Sequence, residues 1–260
     1  MYIKPYDELT IQDNFIFQKV MRNKRICKQT IERLLDIDIK DISYPEEEKS
    51  INVRLDSKSI RLDVYVNDDK GTVFNIEMQT TKDMDELVKR TRYYQGLIDI
   101  DNIEKGQNYS ALHDTYIIFI CTFGVFTGKR HKYTFRNLCI EDNEILLNDG
   151  TTNMFLSTKD EADDVSKPLK MFLDYVDGKK PEDALMQEID HEVDTVKHCD
   201  EWRRDYMTLA LEMDKKWREG KAEGKIEAIR NAIKDGLTTL AAVKKSGRYT
   251  EEEIAAIAAP

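Results

Sequence analysis

A chain of 260 residues is long enough for one core domain of ordinary size and a smaller appendage. Its 40% hydrophobic, 9% aromatic and 35% charged residues, with a mean hydropathy of −0.60, suit a packed, water-borne protein. No run of about 18 apolar residues occurs, which excludes a spanning helix. The N-terminal Met1 to Glu8 carries charge where a secretory leader needs an apolar stretch, so a cytoplasmic protein with no membrane partner is expected. Cys27, Cys121, Cys139 and Cys199 are widely spaced and form no C-x-x-C pair, which points to free thiols rather than a zinc site or disulfide framework. The net charge of −10 argues against a surface coated for nucleic acid. Residues 151–200 hold most of the excess acid, which leaves a local basic groove elsewhere open.

In chain order, residues 9–35 read as a helix, capped by Thr10 or Asp13, with Phe17, Val20, Met21, Ile31, Leu34 and Leu35 near helical spacing. Ile51 to Asp56 alternates apolar and polar, as a half-buried strand does. Asp56-Ser57-Lys58-Ser59 is turn-like, and Ile60 to Val66 alternates again. Asn67-Asp68-Asp69-Lys70-Gly71 reads as a hairpin loop, and Thr72 to Gln79 as a third strand. A helix is predicted from Asp83 to about Ile103, with Leu87, Thr91, Tyr94 and Ile98 on one face. The apolar run 115–123 then suits a strand buried on both faces. Tyr133 to Leu138 adds a further strand. The resulting order is α-β-β-β-α-β, an α/β class.

Beyond residue 157 the texture changes to acidic helices at 160–176, 181–198 and 200–217, best read as solvated faces. Residues 218–260 form a tail of short helices punctuated by Gly236 and Gly247. Thr250-Glu251-Glu252-Glu253 fits a capping box there. Three parts follow: 1–156 as the core domain, 157–217 as a helical extension and 218–260 as the tail. The four histidines form no motif, and Trp202 and Trp217 read as packing anchors.

The hairpin carries the most chemical information. Ile60, Leu62, Val64 and Val66 share one face of the second strand, which leaves Arg61, Asp63 and Tyr65 on the other. Asn75, Glu77 and Gln79 share the polar face of the third. A loop centred near Lys70 sets Asp63 opposite Glu77 or within one residue of it, with Cβ atoms roughly 5 Å apart. Two such carboxylates repel unless a cation lies between them. Mg²⁺ favours hard oxygen ligands and takes one or two protein carboxylates, so Asp63, Glu77 and the Met78 carbonyl make a candidate metal site. The alternative is a solvated hairpin face on which Arg61 neutralises one acid.

The string Arg61-Leu62-Asp63-Val64-Tyr65, followed by Asn75-Ile76-Glu77-Met78-Gln79, resembles the core of the Rpn family, the recombination-promoting nucleases or transposases of the PD-(D/E)XK superfamily. Asp13-Asn14-Phe15-Ile16-Phe17, Lys89-Arg90-Thr91-Arg92-Tyr93-Tyr94-Gln95, Gly106, Tyr109, Tyr116 to Phe123 and Tyr133-Thr134-Phe135 agree in order. The resemblance covers roughly residues 9–220. It implies a restriction-endonuclease-like αβββαβ core with a mostly α-helical C-terminal region, cutting DNA with Mg²⁺ (or Mn²⁺), and a link in bacteria to mobile DNA and recombination. Carried over, Asp63 and Glu77 become the catalytic carboxylates, and Gln79 fills the lysine position. Asp13 or Asn14 is a further metal ligand, and Lys89, Arg90, Arg92 and Tyr93 are DNA-phosphate contacts.

The expected function is therefore a Mg²⁺-dependent DNA endonuclease, with a tail that serves packing or self-association in a possible homo-oligomer rather than the reading of DNA. The competing reading is a weak or inactive nuclease-fold module that binds DNA or a protein partner. Gln79 in the lysine position, Asn14 where family members tend to carry Asp, and the overall acidity favour it.

Overall fold

The computed structural model describes residues 2–44, 50–51 and 60–259. It contains two compact units, Asp7–Cys199 and Met1–Tyr6 with Asp200–Pro260. In the larger unit the first helical segment is two helices, α1 (Asn14–Val20) and α2 (Lys24–Leu35), not the single helix expected over 9–35. The chain breaks at Asn23, whose backbone is extended and whose side chain accepts the Ile26 N–H, capping a new helix. Asp13 occupies the N-cap position of α1 without making a capping bond.

Five strands follow: β1 (Ile42–Ser43), β2 (Ser50–Ile51), β3 (Ile60–Arg61), β4 (Val64–Asp68) and β5 (Val73–Gln79). Most of the predicted strand 51–56, and the turn 56–59 up to Ser59, lie outside the described residues. The second alternating run is not one strand. It breaks at Leu62–Asp63, so that β3 pairs with β2 as a separate antiparallel ribbon while β4 enters the main sheet. Leu62 accordingly buries with Tyr65, not with Val64 as strict alternation requires.

The β4–β5 turn is set by Asp68, whose carboxylate accepts the Lys70 and Thr72 N–H groups, and by Gly71 at φ +86°. A Cβ on Gly71 would lie 2.6 Å from the His113 ring, so this turn needs glycine twice over. The register that results runs from Asn67↔Val73 to Val64↔Ile76.

Parallel pairing of β5 with β6 (Thr115–Cys121) requires a crossover, supplied by α3 (Met84–Asn102). The sheet ends with β7 (Lys132–Phe135) and β8 (Thr151–Ser157), giving the order β1-β4-β5-β6-β8-β7. Strand β8, which no apolar alternation announced, lies parallel to β6 in the interior of the sheet. On one face Leu87, Tyr94, Leu97 and Ile98 of α3 bury with Tyr65, Val73, Ile117, Phe119 and Phe155. Each such side chain contributes roughly 1.5–3 kcal/mol by leaving water. Phe74, Ile76 and Met78 alternate to the other face and are equally buried.

Helices α4 (Lys167–Val176) and α5 (Ala184–Lys197) also belong to this unit and contact α2, with α5 contacting α1 as well. Their buried stripes are Leu169-Phe172-Leu173-Val176 and Leu185-Met186-Ile189-Val193-Val196. The acids of the segment are not all on solvated faces, since Asp174, Asp177 and Asp183 are half-buried in ion pairs.

In the smaller unit, α6 (Asp200–Lys234) is one long helix that runs through Gly220 and Gly224 instead of stopping near Trp217. α7 (Leu240–Lys245) and α8 (Glu251–Ala258) fold back, burying Val243 and Ile257, and Thr250 makes the expected capping box. Arg230 donates to the Ala256 carbonyl, and Lys225 pairs with Glu253. No helix among the described residues is long and apolar enough to cross a membrane.

Candidate functional site

Where the β4–β5 ladder ends, side chains take over the pairing. One step beyond Val64↔Ile76 the register sets Asp63 across from Glu77. The two residues are tied reciprocally: the Asp63 N–H donates to Glu77 Oε1 at 3.2 Å, and Asp63 Oδ2 accepts the Met78 N–H at 3.1 Å. In a strand the N–H and C=O of one residue point to the same side, so the Met78 carbonyl is turned toward Asp63 as well.

The polar face of this hairpin is not a solvated one. Asn75 is fully buried and Glu77 is 3% exposed beneath α3. Burial, and then the charge of Asp63, push the Glu77 carboxyl well above the ordinary glutamate range, and Arg90 pulls it partly back. With its amide oriented to donate, Asn75 Nδ2 lies 3.1 Å from Glu77 Oε1 and 3.2 Å from the Val64 carbonyl. Arg61, offered from the sequence as a neutralising partner, has its side chain outside the described residues.

Three residues from the helices complete the cluster. Gln18 on α1 donates to Asp63 Oδ1 at 2.7 Å, and Asn14, one turn earlier, stands at 3.5 Å from the same oxygen. Arg90 on α3 is half-buried and turned toward the sheet, not placed on the open helix surface. It donates to Glu77 Oε2 at 3.2 Å and to Gln79 Oε1 at 2.8 Å. Its guanidinium sits 5.2 Å from the Phe119 ring centroid and donates to the Tyr94 hydroxyl at 2.8 Å. Burial and the nearby Glu77 raise that hydroxyl to about 12, so it stays a neutral acceptor for Arg90. Gln79 is held from both ends, its Nε2 donating to the Thr81 carbonyl at 2.8 Å.

The structure thus brings together Asp63, Glu77, Met78, Gln79, Arg90 and Asn14. The Asp13 carboxylate accepts the Thr10 N–H at 2.7 Å, at the start of its own helix. Lys89, Arg92 and Tyr93 are exposed on α3, away from its buried stripe. As site residues, Gln18 and Tyr94 were not singled out in the sequence, where Tyr94 reads only as part of the helix's apolar face and of the family resemblance. Both are four residues from a residue that was, Asn14 and Arg90, and helical spacing is the signal that finds them. Among the described residues no third His, Cys, Asp or Glu joins the pair.

A mixed sheet that ends an antiparallel hairpin in paired acids, with a crossover helix leading to the next parallel strand, is the plan of a restriction-endonuclease-like fold. Residues 14–166, more than half of the chain, match the model of the PD-(D/E)XK nuclease family transposases, and the chain belongs to that family, in agreement with its sequence resemblance. Membership supports a nuclease-like function. No curated protein and no solved structure matches the chain.

Proposed function

We propose that the protein is a Mg²⁺-dependent DNA endonuclease that hydrolyses phosphodiester bonds in the service of recombination or mobile DNA. The observation that carries this reading is the pair Asp63–Glu77, one carboxylate at the break just before β4 and the other across from it on β5, the second raised toward protonation by its burial and then by the charge of the first. The donor set fits a hard divalent cation: two carboxylates and the Met78 carbonyl are oxygen ligands of the kind Mg²⁺ or Mn²⁺ takes, and Mg²⁺ commonly keeps only one or two protein carboxylates. A cation held there would relieve the repulsion that raises Glu77, lower the pKa of a bound water and neutralise charge on the scissile phosphate.

The chain's own groups supply the rest. Gln18 and Asn14 fix the Asp63 carboxylate from α1, and Asn14 is better placed than Asp13 for a further ligand. Gln79 carries no charge, so its amide orients rather than attracts. Arg90, 2.8 Å away, brings the positive charge that a lysine at position 79 would have given. Its planar fork reaches Glu77 and Gln79 together, which a lysine cannot do as a point charge. Lys89, Arg92 and Tyr93, exposed on the same helix, are the proposed contacts to flanking phosphates.

One observation favours the second reading, a nuclease-fold module that binds DNA or a protein without cutting. The Arg90–Glu77 ion pair already gives Glu77 a resident cation. Plasmid cleavage in Mg²⁺ or Mn²⁺, compared with Asp63→Ala and Glu77→Ala, separates the two. Cleavage lost in both variants supports the enzyme, and equal cleavage by all three chains sinks it. Salt-dependent DNA binding with no cutting selects the module.

A further inference from the structure

From Thr134 at the end of β7 to Asp149 before β8, every residue except Cys139 is exposed. The segment is nevertheless rich in large apolar side chains: Ile140 is 86% exposed, Leu147 67%, Ile145 55%, Leu138 48% and Phe135 45%. Single apolar residues on a surface need no explanation, but a contiguous set of this kind marks an interaction site.

The segment is an ordered arm. Leu138 and Leu146 form an antiparallel bridge, the Cys139 N–H donates to the Ile145 carbonyl at 2.9 Å, and the Leu147 N–H donates to the Asn137 carbonyl at 2.9 Å. The Ile145 N–H donates to the Asp142 carbonyl across the tip at 3.1 Å, and Asn137 holds Asp149 at the base at 2.7 Å. A two-stranded hairpin with no third layer is only marginally stable in water. Beyond Phe135, which packs on Phe126 and Phe155, the aliphatic side chains of the arm are left exposed among the described residues.

Charge selects the cover. The tip carries the exposed Glu141, Asp142 and Glu144, while the root carries the exposed Lys129, Arg130 and Arg136 against one exposed acid, Asp149, with Arg130 4.0 Å from Asp164. An acid-tipped arm is repelled by DNA phosphates and by anionic lipid headgroups. It is complementary to its own root. Two copies laid antiparallel across a two-fold axis bring each acidic tip to the other's basic root, with Leu138, Ile140, Ile145 and Leu147 between them. β7, at the end of the sheet, continues the same surface as an edge strand. We infer that the arm 134–149 is a self-association surface whose occupant is the same arm of a second copy of this chain.

Sedimentation equilibrium of the full chain tests this without reference to cleavage, so its outcome is separate from that of the nuclease reading. The wild type is expected to dimerise, and Ile140→Asp with Leu147→Asp to be monomeric. Both positions are exposed, so circular dichroism and melting should report an intact fold. Reversing the tip (Glu141→Lys, Asp142→Lys, Glu144→Lys) should weaken the dimer at least about tenfold. Reversing the root (Lys129→Glu, Arg130→Glu, Arg136→Glu) should do the same, and mixing the two reversed chains should restore association. A wild type that stays monomeric to about 100 μM, a double variant with wild-type affinity, or reversed chains that do not recover on mixing would each overturn the inference. So would a monomer whose arm binds phosphatidylcholine vesicles or DNA instead.

Discussion

Two hairpins of this chain break the ordinary distribution of polar and apolar groups, in opposite senses. The end of the β4–β5 hairpin buries polar side chains, with Asn75 fully buried and Glu77 at 3% exposure, whereas the arm 134–149 sets Ile140 at 86%. In the first, the desolvation cost is met inside the chain: the Asp63 N–H and Arg90 both bond to Glu77, and Gln18 bonds to Asp63. In the second, Ile140 and Leu147 stay largely in solvent, at 86% and 67% exposure. A buried polar cluster that finds its partners internally is built as a site, and an exposed apolar one without cover is built for another molecule. Substitutions at the two places should therefore fail in different assays.

The largest effect is expected at the acidic pair. Asp63→Ala and Glu77→Ala each remove a charged oxygen donor worth several kcal/mol of transition-state stabilisation, so cleavage should fall by about a thousandfold or more. Arg90→Ala comes next, at about a hundredfold, because it strips both Glu77 and Gln79 of a shared donor. Arg90→Lys should recover only a small part, since an ammonium cannot span the two acceptors. Single-turnover rates with saturating DNA measure both, and an Arg90→Lys chain as fast as wild type would remove the proposed role. Gln18→Ala, which only loosens Asp63, should cost about tenfold and appear mainly as weaker Mn²⁺ binding.

That series also marks what could be read from the sequence. Asp63 and Glu77 were found because the turn Asn67–Gly71 fixes the register, and the register alone sets them opposite each other. Arg90 reads in the sequence as a DNA-phosphate contact, but its inward turn was not visible: it depends on Phe119 and Tyr94 offering a ring and a hydroxyl at that depth, a tertiary fact. The break at Leu62–Asp63 escaped because alternation continues through it in the sequence, while side chain–backbone bonds to Glu77 and Met78 replace the ladder there. β8 escaped for the opposite reason, since Thr151, Thr152, Asn153 and Ser157 dilute an apolar run of only three residues in a strand that lies inside the sheet. The arm escaped beyond the strand expected at Tyr133–Leu138, because the short apolar ends on either side of Glu141-Asp142-Asn143-Glu144 do not reveal their exposure in the sequence.

A smaller effect, on stability, is expected from Glu77→Gln. Burial and Asp63 raise the Glu77 carboxyl in the folded chain above its value in the unfolded one. Between those two values the folded state holds a proton that the unfolded state has released, so stability falls as pH rises through that window and stays lower above it. Each unit of the difference is worth about 1.4 kcal/mol. In EDTA the Glu77→Gln chain should therefore be more stable than wild type at neutral pH, by an amount of order 1 kcal/mol, and should show a flatter dependence of urea midpoint on pH. Mn²⁺ should raise the midpoint of the wild type and leave that of the variant nearly unmoved. Equal pH profiles for the two chains would mean that Arg90 already cancels the repulsion, and would favour the non-cutting module.

The smallest effect belongs to the arm. Ile140→Asp with Leu147→Asp replaces side chains that lie 86% and 67% exposed, so little packing is lost within one chain. At protein concentrations below the dimer's dissociation constant, unfolding free energy should change by less than about 0.5 kcal/mol. Above that constant the wild type alone should gain stability with concentration, because association draws on the folded state only. Melting temperatures taken over a hundredfold dilution series would thus diverge at the concentrated end and meet at the dilute end. A constant gap between the two chains at every dilution would instead place Ile140 and Leu147 in the packing of a single chain, and the contrast with the buried hairpin would vanish.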